Sequence, residues 1–477
     1  MAQKVFSVVK FYGGLSSGSK VGIPGSFYHG EKLDYRSDPD VLQINKATSK
    51  VSGTIDTALV NWIAPVNNDV YFFDNTGKFY NRTGGTGTFT LLGTVSTAQG
   101  QGMEYFNDYV YLGGSAKVSR YGPISGSPTL TDPFATFTNI EYETWLPMTN
   151  FINFICVGNG RYLTTYDGST YTYNDLTLPP NYHIRSLAVI TGKYLAIGTY
   201  QGSNINNFEQ GRIFLWDGSS DTYNDFIEIN EGGINAMLFH QNNLYIWAGI
   251  RGNIYTWNGN LQKQKRVPFV GDGKYIEVYP GAVTVAGGIP YFGVSNGDST
   301  TVYRGVYSYG QADKNYPVSL NYEHVISTGT KQGTAVITGA VKGIGPSQFY
   351  IGWQDGAGTV GVDQVSTTTY YTQARFEALI FDNQQPYKEK YAKLVKVTHE
   401  PLATGESIAV EYKLDHNSSW TALGTVSYTN DTDATEKRFP VDWKNKEYQL
   451  AAVMAGNGTT SPGLLSLNMY FEELDFV

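Results

Sequence analysis

The residues best equipped for chemistry in this chain of 477 residues are scattered. His29, His183, His240, His324, His399 and His416 stand at none of the short spacings from which metal centres draw their ligands. Cys156, the sole cysteine, lies in the apolar run Phe154-Ile155-Cys156-Val157. There it reads as a buried, inert thiol rather than a nucleophile, and it leaves no partner for an intrachain disulfide. Gly14-Leu15-Ser16-Ser17-Gly18 spells the nucleophile-elbow pattern, but no buried parallel strand precedes it and no helix follows. Gly13 to Lys20 has the look of a phosphate loop without its Gly-Lys-Ser/Thr ending. The acidic residues Asp108, Glu228, Glu231, Asp272 and Glu277 are the candidates for a facing carboxylate pair of the kind that hydrolyses glycosides. Sequence does not pair them, and solvated loop carboxylates are the favoured reading. No catalytic residue, cofactor or metal is therefore expected.

The elements that would have to position such groups repeat. An aromatic residue followed by Asp or Asn and then Gly recurs as Tyr166-Asp167-Gly168, Trp216-Asp217-Gly218 and Trp257-Asn258-Gly259. Looser copies are Asn75-Thr76-Gly77, Tyr121-Gly122, Tyr309-Gly310 and Gln354-Asp355-Gly356. Each copy ends an alternating apolar segment, where the ring can pack and the glycine can take positive φ. The spacing of roughly 40 to 50 residues, with strand-type units between, is that of β-propeller blades. Between the copies run paired apolar segments joined by short polar turns, a hairpin signal. Examples are Ala236–His240 into Leu244–Trp247 and Leu187–Ile190 into Tyr194–Ile197.

Composition sets limits. There are 54 glycines, 37 tyrosines and only 16% charged residues, which suits an all-β protein with many tight turns and a polar, uncharged surface. The net charge of −8 and the lack of any basic run argue against specific nucleic-acid binding. No apolar window reaches the length of a membrane helix, and residues 1–10 carry no secretory pattern. Assembly in a cytoplasm is expected.

In chain order, residues 1–34 read as an extended arm, packed on the chain's own propeller or on a neighbouring subunit. Residues 35–369 read as the propeller, with the strand at 41–44 closing the last blade. Arg161, Arg212, Arg251 and Arg304 hold comparable places at the openings of third strands. Sialidases are propellers that clamp a carboxylate with three arginines, but those converge on the axis, whereas these lie near outer turns. Edge charges are the favoured reading. Past residue 370 the device disappears and seven or so strands fit in about a hundred residues, a β-sandwich. Within it, Asp415 to Trp420 resembles the Asp-box turn of sialidases, in which the Asp caps a hairpin and the Trp packs beneath it.

The 376–470 stretch also resembles a sandwich module of tailed-bacteriophage virion proteins. The likeness rests on Phe376-Glu377-Ala378-Leu379, Lys393-Leu394-Val395-Lys396-Val397, Pro401 to Tyr412, Trp420-Thr421-Ala422-Leu423-Gly424 and the closing Thr460-Ser461-Pro462. Phe11-Tyr12-Gly13-Gly14 followed by Leu33 to Pro39 is similar to the openings of phage tail proteins that carry propellers. The resemblance covers about a quarter of the chain, assigns no catalytic residue, and implies a component of a tail or neck.

The expectation is thus an all-β chain, a seven-bladed β-propeller followed by a β-sandwich, acting as a non-enzymatic structural protein of a virion. Its partners would be other tail or neck proteins and copies of itself, and a host surface glycan or receptor where loops reach the host. Tyr171, Tyr173, Tyr200 and Tyr223 are the candidate contact aromatics, with packing at blade edges as the alternative. Two other functions stay open: a carbohydrate-binding adhesin and a glycan-degrading propeller enzyme.

Overall fold

The apolar runs become hairpins because the residues joining them accept left-handed backbone. Asn107 and Asp108 have φ of 45° and 67°, Gln241 and Asn242 have 47° and 61°, and Gly287 and Gly288 have 53° and 78°. Two consecutive positive-φ residues make the tight turn whose twist matches that of paired strands. The computed structural model describes residues 3–474 except 17, 21, 39, 54, 56, 86, 97–98, 138–144, 202–209, 269–275, 297–304, 312, 328–336, 346–347 and 416. Among these residues there is no α-helix, only strands and one 3₁₀ turn at Thr83–Gly85.

The chain forms two units. The larger spans Ser49–Val306 and Ile326–Gln364. Its first five sheets are antiparallel and four-stranded, each built from consecutive strands. They begin with Val60–Val66, Gly102–Phe106, Met148–Phe151, Tyr182–Ile190 and Ile234–His240. A sixth begins with Val283–Ala286 and Ile289–Asn296, and a seventh with Ile337–Gly343, Phe349–Gln354 and Val360–Tyr370. Each of these seven first strands touches the first strand of the next sheet, and Ile337–Gly343 touches Val60–Val66. The run of sheets is therefore cyclic, and the unit is a β-propeller in an all-β chain.

Apolar side chains fill the spaces between neighbouring sheets. Leu163, Leu195, Ile197, Phe214 and Trp216 form one such layer between the third and fourth sheets. Ile213, Ile234, Leu244 and Ile246 form the next, between the fourth and fifth. Each fully buried side chain of this size contributes about 1.5–3 kcal/mol, so the layers hold the ring.

The strand that completes the seventh sheet is Lys46–Lys50, not the segment 41–44. Gln43–Ile44 pairs instead with Leu33–Asp34 in the smaller unit. Burial explains the exchange. Leu42 and Ile44 are wholly buried, whereas an outermost strand needs the half-exposed polar sequence Lys-Ala-Thr-Ser-Lys.

The smaller unit comprises Met1–Thr48, Tyr307–Val325 and Val365–Val477. It departs from the expected partition, because residues 1–34, expected as an extended arm on the propeller or on a neighbouring subunit, supply strands to the sheets of this unit. Lys4–Val8 is an edge strand of the sheet that continues through Leu464–Glu473, Lys390–His399 and Glu436–Asn445. His29–Glu31 is an edge strand of a second sheet, formed with Gln373–Glu377, Tyr448–Ala455, Ser407–Leu414 and Thr421–Ser427. The aromatics of 1–34 dictate this, since Phe6 stacks on Phe381 at 4.4 Å and Phe11 meets Phe376 edge-on at 5.3 Å. The two sheets meet where Tyr412 stacks on Trp443 at 4.1 Å.

Candidate functional site

Four of the first strands of the larger unit carry bulges that re-aim one side chain each. Their registers slip between Val60 and Trp62, Ile184 and Ser186, Ile234 and Ala236, and Thr338 and Ala340. The extra residues are Asn61, Arg185, Asn235 and Gly339. Asn235 donates its amide to Gly249 O at 2.6 Å. A Cβ on Gly339 would stand 2.5 Å from Val60 O, so that position admits only glycine.

Arg185 makes an ion pair with Glu277 and is 3% exposed. Its guanidinium lies 5.8 Å from the ring of Trp145, which meets Tyr279 at 5.2 Å and Trp62 at 6.2 Å. Trp62 belongs to the first sheet and Arg185 to the fourth, Trp145 precedes the third, and Glu277 lies in the short strand Ile276–Glu277 of the sixth. These contacts join non-neighbouring members of the cyclic run through one salt bridge and three aromatic rings. Burial drives the Tyr279 hydroxyl up to about 12. Nearby, Glu104 of the second sheet accepts a hydrogen bond from Asn150 Nδ2 of the third at 3.2 Å. Burial raises its carboxyl to about 7, against the opposing charge of Lys342. In the sequence only Glu277, a candidate acid, and an arginine inside the apolar run Tyr182–Ile190 pointed to this cluster.

The candidate acids are held one by one. Asp108, at positive φ, accepts from Ser125 N at 3.1 Å. Glu228 pairs with Arg212 at 2.5 Å. Glu231 accepts from Asn253 Nδ2 at 2.6 Å and from the Tyr255 hydroxyl at 2.7 Å. Glu277 holds Arg185, and Asp272 lies outside the described residues. The arginines likewise stay apart: Arg161 donates to the Tyr162 hydroxyl at 2.9 Å, Arg212 to Glu228, and the Arg251 backbone bridges to Ile276. Arg304 lies outside the described residues, as does His416. Among the described residues no three His, Cys, Asp or Glu side chains gather as metal ligands. Cys156 is fully buried, which pushes its thiol well above the usual range. Ser16 sits in no elbow, because Gly14–Leu15 is a two-residue strand beside Ser26–Phe27.

The repeated device is a turn lock. Asp167 accepts from Ser169 N and Thr170 N, both at 2.7 Å, while the Tyr166 hydroxyl donates to Gly168 O at 2.7 Å. Asp217 accepts from Ser219 N and Ser220 N at 2.9 Å, and the indole of Trp216 donates to Ser220 O at 2.7 Å. These backbone bonds hold both carboxyls below the ordinary range. Gly168, Gly218 and Gly259 have φ of 103°, 82° and 110°. Trp257 is half-buried, and Asn258 and Gly259 are exposed. All three copies join third to fourth strands, but Gly77 and Gly356 lie between second and third strands, at the opposite end of the sheet. Tyr309 and Gly310 are buried within the smaller unit.

Asp415 caps a different turn from the one expected. It has φ of 41° and accepts from Lys446 N at 2.8 Å, Glu447 N at 2.9 Å and Asn445 Nδ2 at 2.9 Å. Trp420 lies under cations, with Lys413 Nζ 4.6 Å and the Arg375 guanidinium 4.9 Å from its ring. Of the candidate contact aromatics only Tyr173 is well exposed, at 41%. Tyr171 stacks on Tyr166 at 4.3 Å, Tyr200 is buried beside His183, and Tyr223 packs on Phe214 at 4.7 Å. Tyr200 is buried because it belongs to the strand Tyr194–Gln201, not to a loop.

No family model matches the chain, and no curated protein does. Solved structures are similar to it in fold. The extracellular domain of BT4673 from B. thetaiotaomicron is 14% identical, covers 76% of this chain and 44% of that one, and superposes with a TM-score of 0.47. The β-propeller domain of Myceliophteria thermophila Cps50 (Swd1) is 10% identical over 67% of this chain and all of that one, with a TM-score of 0.46. YCF48 bound to D1 peptide is 10% identical over 67% and 96%, with a TM-score of 0.42. The chain thus spans less than half the length of the BT4673 domain.

Proposed function

We propose that the protein is a non-enzymatic structural component of a phage tail or neck, a seven-bladed propeller joined to a β-sandwich. The observation that carries the non-enzymatic part is the fate of the acids: each described candidate is bound to its own partner. Hydrolysis needs two carboxyls facing one bond across open space. A closed ring of sheets is instead suited to bearing load between neighbours in a symmetric assembly. The virion part rests on the resemblance of the 376–470 stretch. Its Pro401–Tyr412 segment carries the hairpin strand Ser407–Leu414.

Quantitative mass spectrometry of purified virions from a phage encoding this chain tests the reading. The chain is expected at a fixed ratio to the major capsid protein after repeated density banding. Its loss from banded particles, or steady release of reducing ends from glycan by the purified chain, contradicts the reading.

A further inference from the structure

The smaller unit holds a cleft of about 260 Å³ that none of the roles above uses. Tyr28, Lys413, Asp415, Asn417, Glu447 and Gln449 line it. We infer that this cleft is a binding site for a single neutral sugar ring.

Its polar groups are fixed in advance. Asp415 is held by three donors from 445–447, and Glu447 takes the ammonium of Lys20. Gln449 donates Nε2 to Ala378 O at 2.9 Å, which leaves its amide oxygen as an acceptor. The Lys413 ammonium is steadied over the Trp420 ring at 4.6 Å. Groups locked by a supporting layer bind without a cost for ordering them.

One wall is aromatic. Tyr28 is 39% exposed, an unusual state for a large ring in a chain whose other tyrosines are mostly packed. Its electron-rich face attracts the weakly positive C–H groups of a pyranose, while the hydroxyls at the ring's rim require donors and acceptors of both kinds. The cleft offers carboxylate, amide and ammonium groups within one small volume.

Charge selects against ions. Asp415 and Glu447 line the cleft with Lys413, and Lys20 pairs with Glu447, so two acids and two bases cancel. A cation or anion entering would gain no net attraction and would lose its hydration. Size agrees as well. Sites for drug-sized ligands occupy roughly 300–1,000 Å³, and this smaller cleft suits one ring.

The test uses the full chain with methyl glycosides of glucose, galactose and N-acetylglucosamine, with glucosamine and sialic acid as charged probes. Binding is read by saturation-transfer NMR and calorimetry. Saturable binding of at least one neutral glycoside is expected, stronger than either charged probe. Tyr28→Ala is expected to weaken it by about tenfold or more, the scale of a lost ring contact, and Asn417→Ala to weaken it measurably. Tyr28→Phe keeps the ring face and retains most of the affinity. Three results overturn the assignment: no saturable binding of any neutral probe, binding unchanged by Tyr28→Ala in a folded variant, or preference for a charged probe. The measurement is made on the isolated chain, so its outcome is separate from whether virions carry the protein.

Discussion

Replacing Glu104 by Gln tests the titration of this carboxyl on the first strand of the second sheet. The carboxyl titrates near 7 instead of its ordinary 4.5 because burial disfavours its charge, and Lys342 offsets only part of that cost. At about 1.4 kcal/mol per unit, a rise from 4.5 to about 7 penalises the ionised folded state by roughly 3.5 kcal/mol at most. Residual water around the side chain reduces this, and about 1–3 kcal/mol is expected. The sign follows from proton binding: between pH 4.5 and 7 the folded state holds a proton that the unfolded state has released, so stability falls as pH rises through that window. Below it the penalty vanishes. Glutamine keeps the acceptor for Asn150 and removes the charge, so Glu104→Gln should be more stable than the parent at pH 8 and equal to it at pH 4. Thermal and urea midpoints of both proteins across this range give the difference curve. Infrared difference spectra of the carboxyl give the titration directly. A flat difference across pH, or a variant less stable at pH 8, refutes the reasoning.

Other consequences follow from particular residues. Lys390 is wholly buried and donates to Gln385 O at 3.0 Å and to Lys388 O and Lys446 O at 2.8 Å. Lys390→Met leaves three carbonyls without a donor and should cost roughly 3 kcal/mol or more, read as an early unfolding step in calorimetry. Gly259→Ala places a Cβ in open space at φ 110°, so it pays only backbone strain of about 1 kcal/mol. Gly168→Ala adds a clash with Asn107 Nδ2 at 2.8 Å and should lower the melting temperature further. Cys156, with its buried thiol, should react with a thiol reagent only at the rate of unfolding, as timed labelling with and without urea would reveal.

Local chemistry was legible in the sequence and distant pairing was not. Asn107-Asp108 and Gln241-Asn242 announce hairpins because their side chains tolerate positive φ, and the strands on either side follow. The Asp167 and Asp217 turns are equally local. Which segment closes the seventh sheet is not, because Lys46–Lys50 carries weak strand character and gains its place from a partner over 300 residues away. The apolar segment Val41–Ile44 was the more conspicuous choice and is buried elsewhere. A similar limit applied to residues 1–34, whose aromatics could be read as sticky but not assigned to the Gln373–Glu377 and Leu464–Glu473 strands. Periodicity also merged two kinds of turn. Asp74 and Asp355 stiffen second-to-third connections by the same Asx bonds that Asp217 uses at the other end of a sheet. Glu277 was a candidate acid, but its partner Arg185 emerges only through a bulge.

The most direct measurement of the central claim is electron cryomicroscopy of the purified virion. Density is expected at the tail or neck for a closed wheel of seven sheets, the last completed by Lys46–Lys50, in a fixed number of copies. Particles without that wheel, or a wheel left open at its seam, would contradict it.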